Sequence, residues 1–246
     1  MAVRVIVNGV NGKMGSLAKV TIESNPEFEL VAGLSKQDNL RQAIADTRAE
    51  IVIDLTRANS VYANTLTIIE SGAHPIIGTS GLLSQQIKQL TILSQSKQLG
   101  GIIVPNFSIA AVLMMRFSSI AAQYLPHVEI IEAHHPQKYD APSGTAMKTA
   151  EMIAKVRGDE VPQQEKTHHE LLAGARGAHY RGIHIHSLRL PGVLARQHVI
   201  FGTTGETLTI THDSLDRACF MPGIIRCCQK VMQLKTLYYG LDTILD

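Results

Sequence analysis

Two adjacent histidines, a lysine and an aspartate gather in one short stretch: His134, His135, Lys138 and Asp140. Imidazole moves protons near neutral pH, and a primary ammonium can stabilise and protonate developing negative charge. Pro142, Ser143, Gly144 and Thr145 follow. Serine is a good N-cap and proline is poorly tolerated deep inside a helix, so a helix should start at Ser143. Free N–H groups at Ser143, Gly144 and Thr145 attract an anion, and a substrate carboxylate suits the place. Gly144 keeps side-chain bulk away from that anion. A polar turn accounts for any one of these residues, but random turns seldom collect the whole set. Asp140 has two open readings: it steers Lys138, or it is an exposed turn residue.

The loop needs elements to hold it. Upstream, Val128, Ile130 and Ile131 are β-branched residues that suit a strand. At the other end of the chain, Val3 to Val7 is a compact β-branched run ending at Asn8 and Gly9. Gly9, Gly12 and Gly15 then precede an amphipathic run from Ser16 to Glu23. This is strand, tight turn, helix, a spacing variant of the dinucleotide fingerprint. Glycine there lets backbone approach a pyrophosphate seated on the helix N-terminus. Further strands are expected at Phe28 to Leu34, Ile51 to Leu55, Pro75 to Ile77 and Ile102 to Val104. Helices are expected from about Asn59 to Ser71 and from Ser84 to about Gln98. Short buried strands alternating with helices predict an α/β fold, a Rossmann-like doubly wound parallel sheet. The connection between the second and third strands is short and reads as a trimmed loop.

Ser108 to Gln123 is helical in pattern, with Ile109, Val112, Leu113, Phe117 and Ile120 at helical spacing. Ala110, Met114 and Met115 read as packing. A helix runs from Ser143 to about Arg157, and residues 158–182 read as a long mobile loop. Gly182 to Leu190, Gln197 to Phe201 and Thr207 to His212 alternate like antiparallel strands. Joined to Val128–Glu132, they would form the open mixed sheet of an α+β domain. Apolar members on its far face need a cover, and another subunit is the simplest one. Leu215 to Leu234 reads as a closing helix.

Composition excludes several classes. The 246-residue chain can bury a real core, and its formal net charge is only +2. No basic run suits nucleic acid, and no apolar run is long enough to span a bilayer. Val3 to Val7 is too short for the apolar core of a signal peptide. The 3 cysteines, Cys219, Cys227 and Cys228, are poor material for a disulfide framework and fit a reducing cytoplasm. A metal hydrolase is the competing reading of His134, His135, His168, His169, His184 and His186. Adjacent histidines on a strand point to opposite faces, and no His-Glu-x-x-His pattern or cysteine pair with ligand spacing occurs, so no metal is expected.

The run from Glu132 to Ala146, Glu-Ala-His-His-Pro-Gln-Lys-Tyr-Asp-Ala-Pro-Ser-Gly-Thr-Ala, resembles the signature of the dihydrodipicolinate (4-hydroxy-tetrahydrodipicolinate) reductases. Further matches fall at Gly9 to Gly15, Ile53 to Arg57, Ile77 to Gly81, Asn106–Phe107 and Ile210 to His212, so the resemblance spans nearly the whole chain. It implies reduction of a cyclic imine dicarboxylate by NADH or NADPH in lysine and diaminopimelate synthesis. It implies His134 as proton donor and acceptor, Lys138 as proton donor, His135 holding substrate, and Gly144 and Thr145 binding a substrate carboxylate. It implies cofactor contacts at Gly9, Val10, Asn11, Gly12, Lys13, Met14, Gly78, Thr79, Ser80, Val104, Pro105, Asn106 and Phe107. Without the resemblance, Gly78 to Ser80 would read as an ordinary loop. It also implies a discontinuous dinucleotide-binding domain, 1–107 with 214–246, a substrate and oligomerisation domain, 108–213, and a cytoplasmic homotetramer.

After the second strand, where an acidic residue often takes the ribose hydroxyls, stand Ser35 and Lys36. Ser35 can donate to a 2′-phosphate, Lys36 opposes its charge, and Lys13 is a further candidate, so both cofactors are expected with NADPH favoured. The other reading makes Lys36 a solvated loop lysine.

Overall fold

A computed structural model describes residues 2–158 and 169–245. The chain divides into two compact units, Met1–Ile109 with Arg217–Asp246, and Ala110–Asp216. The first opens with β1 (Val3–Asn8), α1 (Lys13–Glu23), β2 (Phe28–Leu34), α2 (Leu40–Thr47), β3 (Ile51–Asp54), α3 (Val61–Glu70), β4 (His74–Ile77), α4 (Ser84–Ser96) and β5 (Gly101–Ile103). The second holds α5 (Ile109–Ala121), β6 (His127–His134), α6 (Gly144–Arg157), β7 (Ala178–Tyr180), β8 (Ile183–Arg189), β9 (Ala195–Thr203) and β10 (Glu206–Ser214). The chain then returns to the first unit with α7 (Met221–Val231) and β11 (Leu237–Tyr239).

In the first unit the strands lie in the order β11-β5-β4-β3-β1-β2, and every neighbouring pair is parallel. Parallel strands are covered on both faces, which is why β3 is buried along its whole length. Ile6, Val52 and Ile77 form one core with Ile44 of α2, Ile68 and Ile69 of α3 and Leu90 of α4. Alternation turns Val5, Val7 and Ile53 to the opposite face, and α1 packs with α7. From β1 the chain steps to β2 on one side and to β3 on the other. Ligand crevices form at such switch points, beyond the carboxyl ends of the strands.

Three expectations for this unit need correction. The link between β2 and β3 is not a trimmed loop. It contains α2, whose start is fixed by the Asn39 side chain accepting from the Gln42 N–H at 3.1 Å. The sheet has a sixth strand, β11. The closing helix is shorter than Leu215 to Leu234: a 3₁₀ turn, Arg217–Phe220, precedes α7.

In the second unit the order is β10-β9-β6-β8-β7. β6 pairs parallel with β8 and antiparallel with β9. The open mixed sheet is therefore present, but β8 and β9 are separated by β6 instead of forming a hairpin. One face buries Val128, Ile130, Glu132, Ile183, Ile185, Gln197, Val199 and Phe201. Gln197 donates to Thr149 of α6 at 2.7 Å on that side. The other face is mostly polar: Glu129, His184, His186, Arg196, His198 and Thr209, with Ile131 and Ile200 as partly buried apolar members. The His186 ring nitrogen Nε2 lies 2.8 Å from Glu129. Of residues 158–182, 159–168, His168 among them, lie outside the described residues, and Ala178–Tyr180 form β7.

α5 does not bury the stripe that its spacing suggested. Ala111, Val112, Met114, Met115 and Ser118 are buried, while Phe117 and Ile120 are about half exposed, at 52% and 54%, and Ala110 is exposed as well. Every residue from Ile109 to Met115 is apolar, so periodicity could not select one face.

Candidate active site

In the first unit, the candidate site is the rim of the parallel sheet. After β1 the backbone turns sharply: the Gly9 and Val10 N–H groups both donate to the Leu34 carbonyl, at 2.9 and 3.0 Å. Gly9 has φ +90°, and a Cβ there would stand 2.5 Å from the Leu55 carbonyl oxygen. A Cβ on Gly15 would stand 2.1 Å from the Gly9 oxygen. Only glycine permits this close stacking of turn, helix and neighbouring loop. Gly12 is the N-cap of α1 with no side-chain cap, so Gly9, Val10, Asn11, Gly12, Lys13 and Met14 wrap an open helix start. That cradle fits a pyrophosphate.

Asp54, at the end of β3, fixes this rim. It is fully buried. Its Oδ2 accepts from Asn8 at 3.0 Å and Asn64 at 2.8 Å. Its Oδ1 accepts from the Thr56 hydroxyl and the Thr79 hydroxyl, both at 2.7 Å, and from the Thr56 N–H at 3.2 Å. One carboxylate thus ties together the ends of β1, β3 and β4. Sequence reasoning missed it, although an Asp directly after Ile51, Val52 and Ile53 is a legible signal. Gly78, Thr79 and Ser80 follow β4, with Thr79 buried on Asp54. Val104, Pro105, Asn106 and Phe107 follow β5, where the Val104 N–H donates to Ile77 at 2.8 Å and the Asn106 side chain accepts from the Ser108 N–H at 2.8 Å. Phe107 is buried, its ring beside Gly78.

Beyond the end of β2, three residues past Ser35, stands a carboxylate, Asp38. Asp38 folds back so that its Oδ2 accepts from the Ser35 N–H at 2.7 Å and the Ser35 hydroxyl at 2.8 Å. These bonds hold the Asp38 carboxyl below its ordinary range. The Ser35 hydroxyl is therefore engaged, while Lys36 is exposed.

In the second unit, the candidate site lies at the end of β6 and the start of α6. Glu132 is fully buried on the same face as Val128 and Ile130. Its Oε2 lies 2.6 Å from His134 Nδ1 and accepts from Arg189 at 3.0 Å. Its Oε1 accepts from Arg189 at 2.9 Å and from the Ser143 N–H at 3.2 Å. Burial alone would push this carboxyl up. Hydrogen bonds from His134, Arg189 and Ser187, with the charge of His134, bring it down to about 2. Sequence reasoning gave Glu132 no role, although alternation from Val128 and Ile130 places it on the buried face.

Ser143 is the N-cap of α6, its hydroxyl accepting from the Ala146 N–H at 3.2 Å. Nothing stands within 4 Å of where a Gly144 Cβ would be, so the helix start is open there, with Thr145 in its first turn. Lys138 Nζ donates to Asp140 Oδ1 at 2.6 Å. Asp140 is therefore a partner of Lys138. Its carboxyl is held down by Lys138 first, and the Gly144 N–H contributes as well. His135 shows a buried ring Nδ1 with no hydrogen-bond partner among the described residues.

A parallel sheet with a glycine turn at its switch point defines a dinucleotide-binding α/β unit, here joined to a mixed-sheet unit that carries acid–base side chains. Comparison with known proteins narrows this class. Residues 3–107 match the family model described as dihydrodipicolinate reductase, N-terminus, and residues 110–245 match its C-terminus. The 4-hydroxy-tetrahydrodipicolinate reductase of Legionella pneumophila (strain Paris) is 60% identical over 245 residues, covering 100% of both chains. That of Coxiella burnetii is 51% identical over 245 residues with the same coverage. A dipicolinate-bound dihydrodipicolinate reductase from Paenisporosarcina superposes with a TM-score of 0.93 at 44% identity, covering 100% of both chains. An amine dehydrogenase from Mycobacterium smegmatis, at 10% identity and a TM-score of 0.68, shares the fold. The chain belongs to the dihydrodipicolinate reductase family.

Proposed function

We propose that this protein reduces 4-hydroxy-tetrahydrodipicolinate to tetrahydrodipicolinate with NADH or NADPH, as a cytoplasmic step of lysine and diaminopimelate synthesis. The geometry that carries this reading is the loop after β6. An imidazole anchored by a buried carboxylate, an ammonium and an open helix start are held there together. Gly9 to Met14, Gly78 to Ser80 and Val104 to Phe107 would hold the dinucleotide. When bound, a reduced nicotinamide supplies the hydride. His135, Gly144 and Thr145 would hold the substrate, with its carboxylate at the α6 N-terminus. Reduction of the conjugated ring leaves negative charge on carbon or nitrogen. Lys138, released from Asp140, stabilises that charge and donates the proton, and His134 serves as proton donor and acceptor.

For the cofactor, Lys36 supports NADPH. The Ser35 hydroxyl does not, because Asp38 already holds it, so any preference rests on the ammonium groups of Lys36 and Lys13. The proposed assembly is a homotetramer through the open sheet of the second unit. The test of the reaction is cofactor oxidation, followed with each of NADH and NADPH, on enzymatically made cyclic imine. Substrate-dependent oxidation is expected with both, and none with either would refute the proposal.

A further inference from the structure

We propose that Glu132 is the positioning residue of the proton-handling site: it fixes the proton of His134 on Nδ1 and so presents Nε2 to the substrate. The inference rests on His134 as a proton-handling group, and goes beyond it by assigning the residue that sets its tautomer. The geometry is specific. Both carboxylate oxygens of Glu132 are filled by donors: Arg189 on each, the Ser143 N–H on Oε1, and His134 Nδ1 on Oε2. An ionised carboxylate only accepts, so the Nδ1 facing it at 2.6 Å must carry the proton. The lone pair of the neutral ring is then on Nε2. When Nε2 takes up a proton, the same carboxylate stabilises the imidazolium and keeps the ring from turning.

Packing alone does not explain this residue. Glu132 occupies a fully buried position whose neighbours on the same face of β6 are Val128 and Ile130. Burying an ion pair is weak support for stability, and a well-packed apolar residue often serves as well or better. The arrangement makes physical sense if the carboxylate has a task. Arg189 neutralises it and also donates to the Asp140 carbonyl at 2.6 Å, which holds the Lys138–Asp140 turn against the same anchor. The Leu190 N–H closes the far side by donating to the His134 carbonyl at 2.9 Å. One buried carboxylate therefore references the imidazole, the lysine loop and the start of α6 to a single point.

The test is a ¹⁵N long-range NMR spectrum of histidine-labelled protein at alkaline pH, without ligands. The His134 ring is assigned by its loss in His134→Gln. In the wild type we expect the proton on Nδ1; a proton on Nε2 overturns the inference without any variant. In Glu132→Gln the amide can donate to Nδ1, so we expect the proton to move to Nε2 and kcat to fall roughly 10²-fold or more. KM for the cofactor should change less than threefold. A Glu132→Gln protein that keeps the proton on Nδ1, or keeps kcat within threefold, also overturns it. Arg189→Gln separates a structural role: it disturbs the same network but should leave the proton on Nδ1, and a tautomer shift there would show that packing, not the carboxylate, decides. Failure of His134→Ala to slow turnover would instead strike the catalytic reading and leave the spectra to stand alone.

Discussion

Replacing Asp54 by alanine removes the acceptor at the centre of the nucleotide-unit rim. Three of its donors keep a second partner. Asn64 retains the Thr56 hydroxyl at 3.1 Å, the Thr56 hydroxyl retains Ser60 at 3.2 Å, and the Thr79 hydroxyl retains the Asp54 carbonyl at 3.3 Å. The Asn8 side-chain amide and the Thr56 N–H have no second acceptor among the described hydrogen bonds. Each orphaned donor costs about 1–3 kcal/mol, so Asp54→Ala should lose roughly 2–6 kcal/mol. Asp54→Asn should lose less, because Thr56 and Thr79 hydroxyls can turn to meet an amide. Urea unfolding compares the midpoints at a common slope. KM for the cofactor should rise in both variants, because Asn8 and Thr79 border the proposed dinucleotide contacts. If Asp54→Ala unfolds at the wild-type midpoint, or if Asp54→Asn is the weaker of the two, the reasoning about this carboxylate is wrong.

Glu132 makes stability depend on acid. Its carboxyl falls from an ordinary 4.5 to about 2 in the folded chain. A lowered value stabilises the fold above the unfolded range, and that stabilisation is lost as pH falls through the folded value. At neutral pH it amounts to about 3 kcal/mol, so the stability gap between wild type and Glu132→Gln should narrow from about pH 5 to about pH 2. A gap that stays constant in acid would contradict this. Lys36→Ala should raise the Michaelis constant for NADPH roughly five- to thirtyfold relative to NADH, since an exposed charge-assisted contact gives about 1–2 kcal/mol. An unchanged ratio, or wild-type preference for NADH, would show that Lys36 does not read the phosphate. Light scattering at micromolar concentration should give a mass well above the monomer, and an active monomer would rule out the proposed assembly.

Local features of the fold were legible where the physics is local. β1 and β3 are β-branched runs, β4 ends in Ile76 and Ile77 before Gly78, and Gly9 to Gly15 announce a close backbone approach. Ser143 shows as a helix start because serine caps locally. What depends on distant partners was hidden. β11 is only Leu237–Tyr239, and it is a strand because β5 lies beside it. β8 and β9 alternate like antiparallel strands in sequence, but that β6 enters between them is a pairing no local signal carries. α2 was in principle readable from Asn39, Leu40, Ala43 and Ile44, yet a short connection suggested a trimmed loop. In the site, His134, Lys138 and the α6 start could be singled out by residue type. Glu132 and Asp54 carry a local signal, a carboxylate on the buried register of a strand, but the donors that give them and Asp38 a task are brought together only by the fold.

The central claim is that the loop after β6 handles the proton of a reduction. It is tested most directly by turnover on enzymatically made cyclic imine for wild type, His134→Ala and Lys138→Ala, with cofactor affinity measured in parallel. The account predicts kcat lower by roughly 10²–10⁴-fold in each variant with cofactor affinity nearly unchanged. Near-normal turnover in both variants would contradict it.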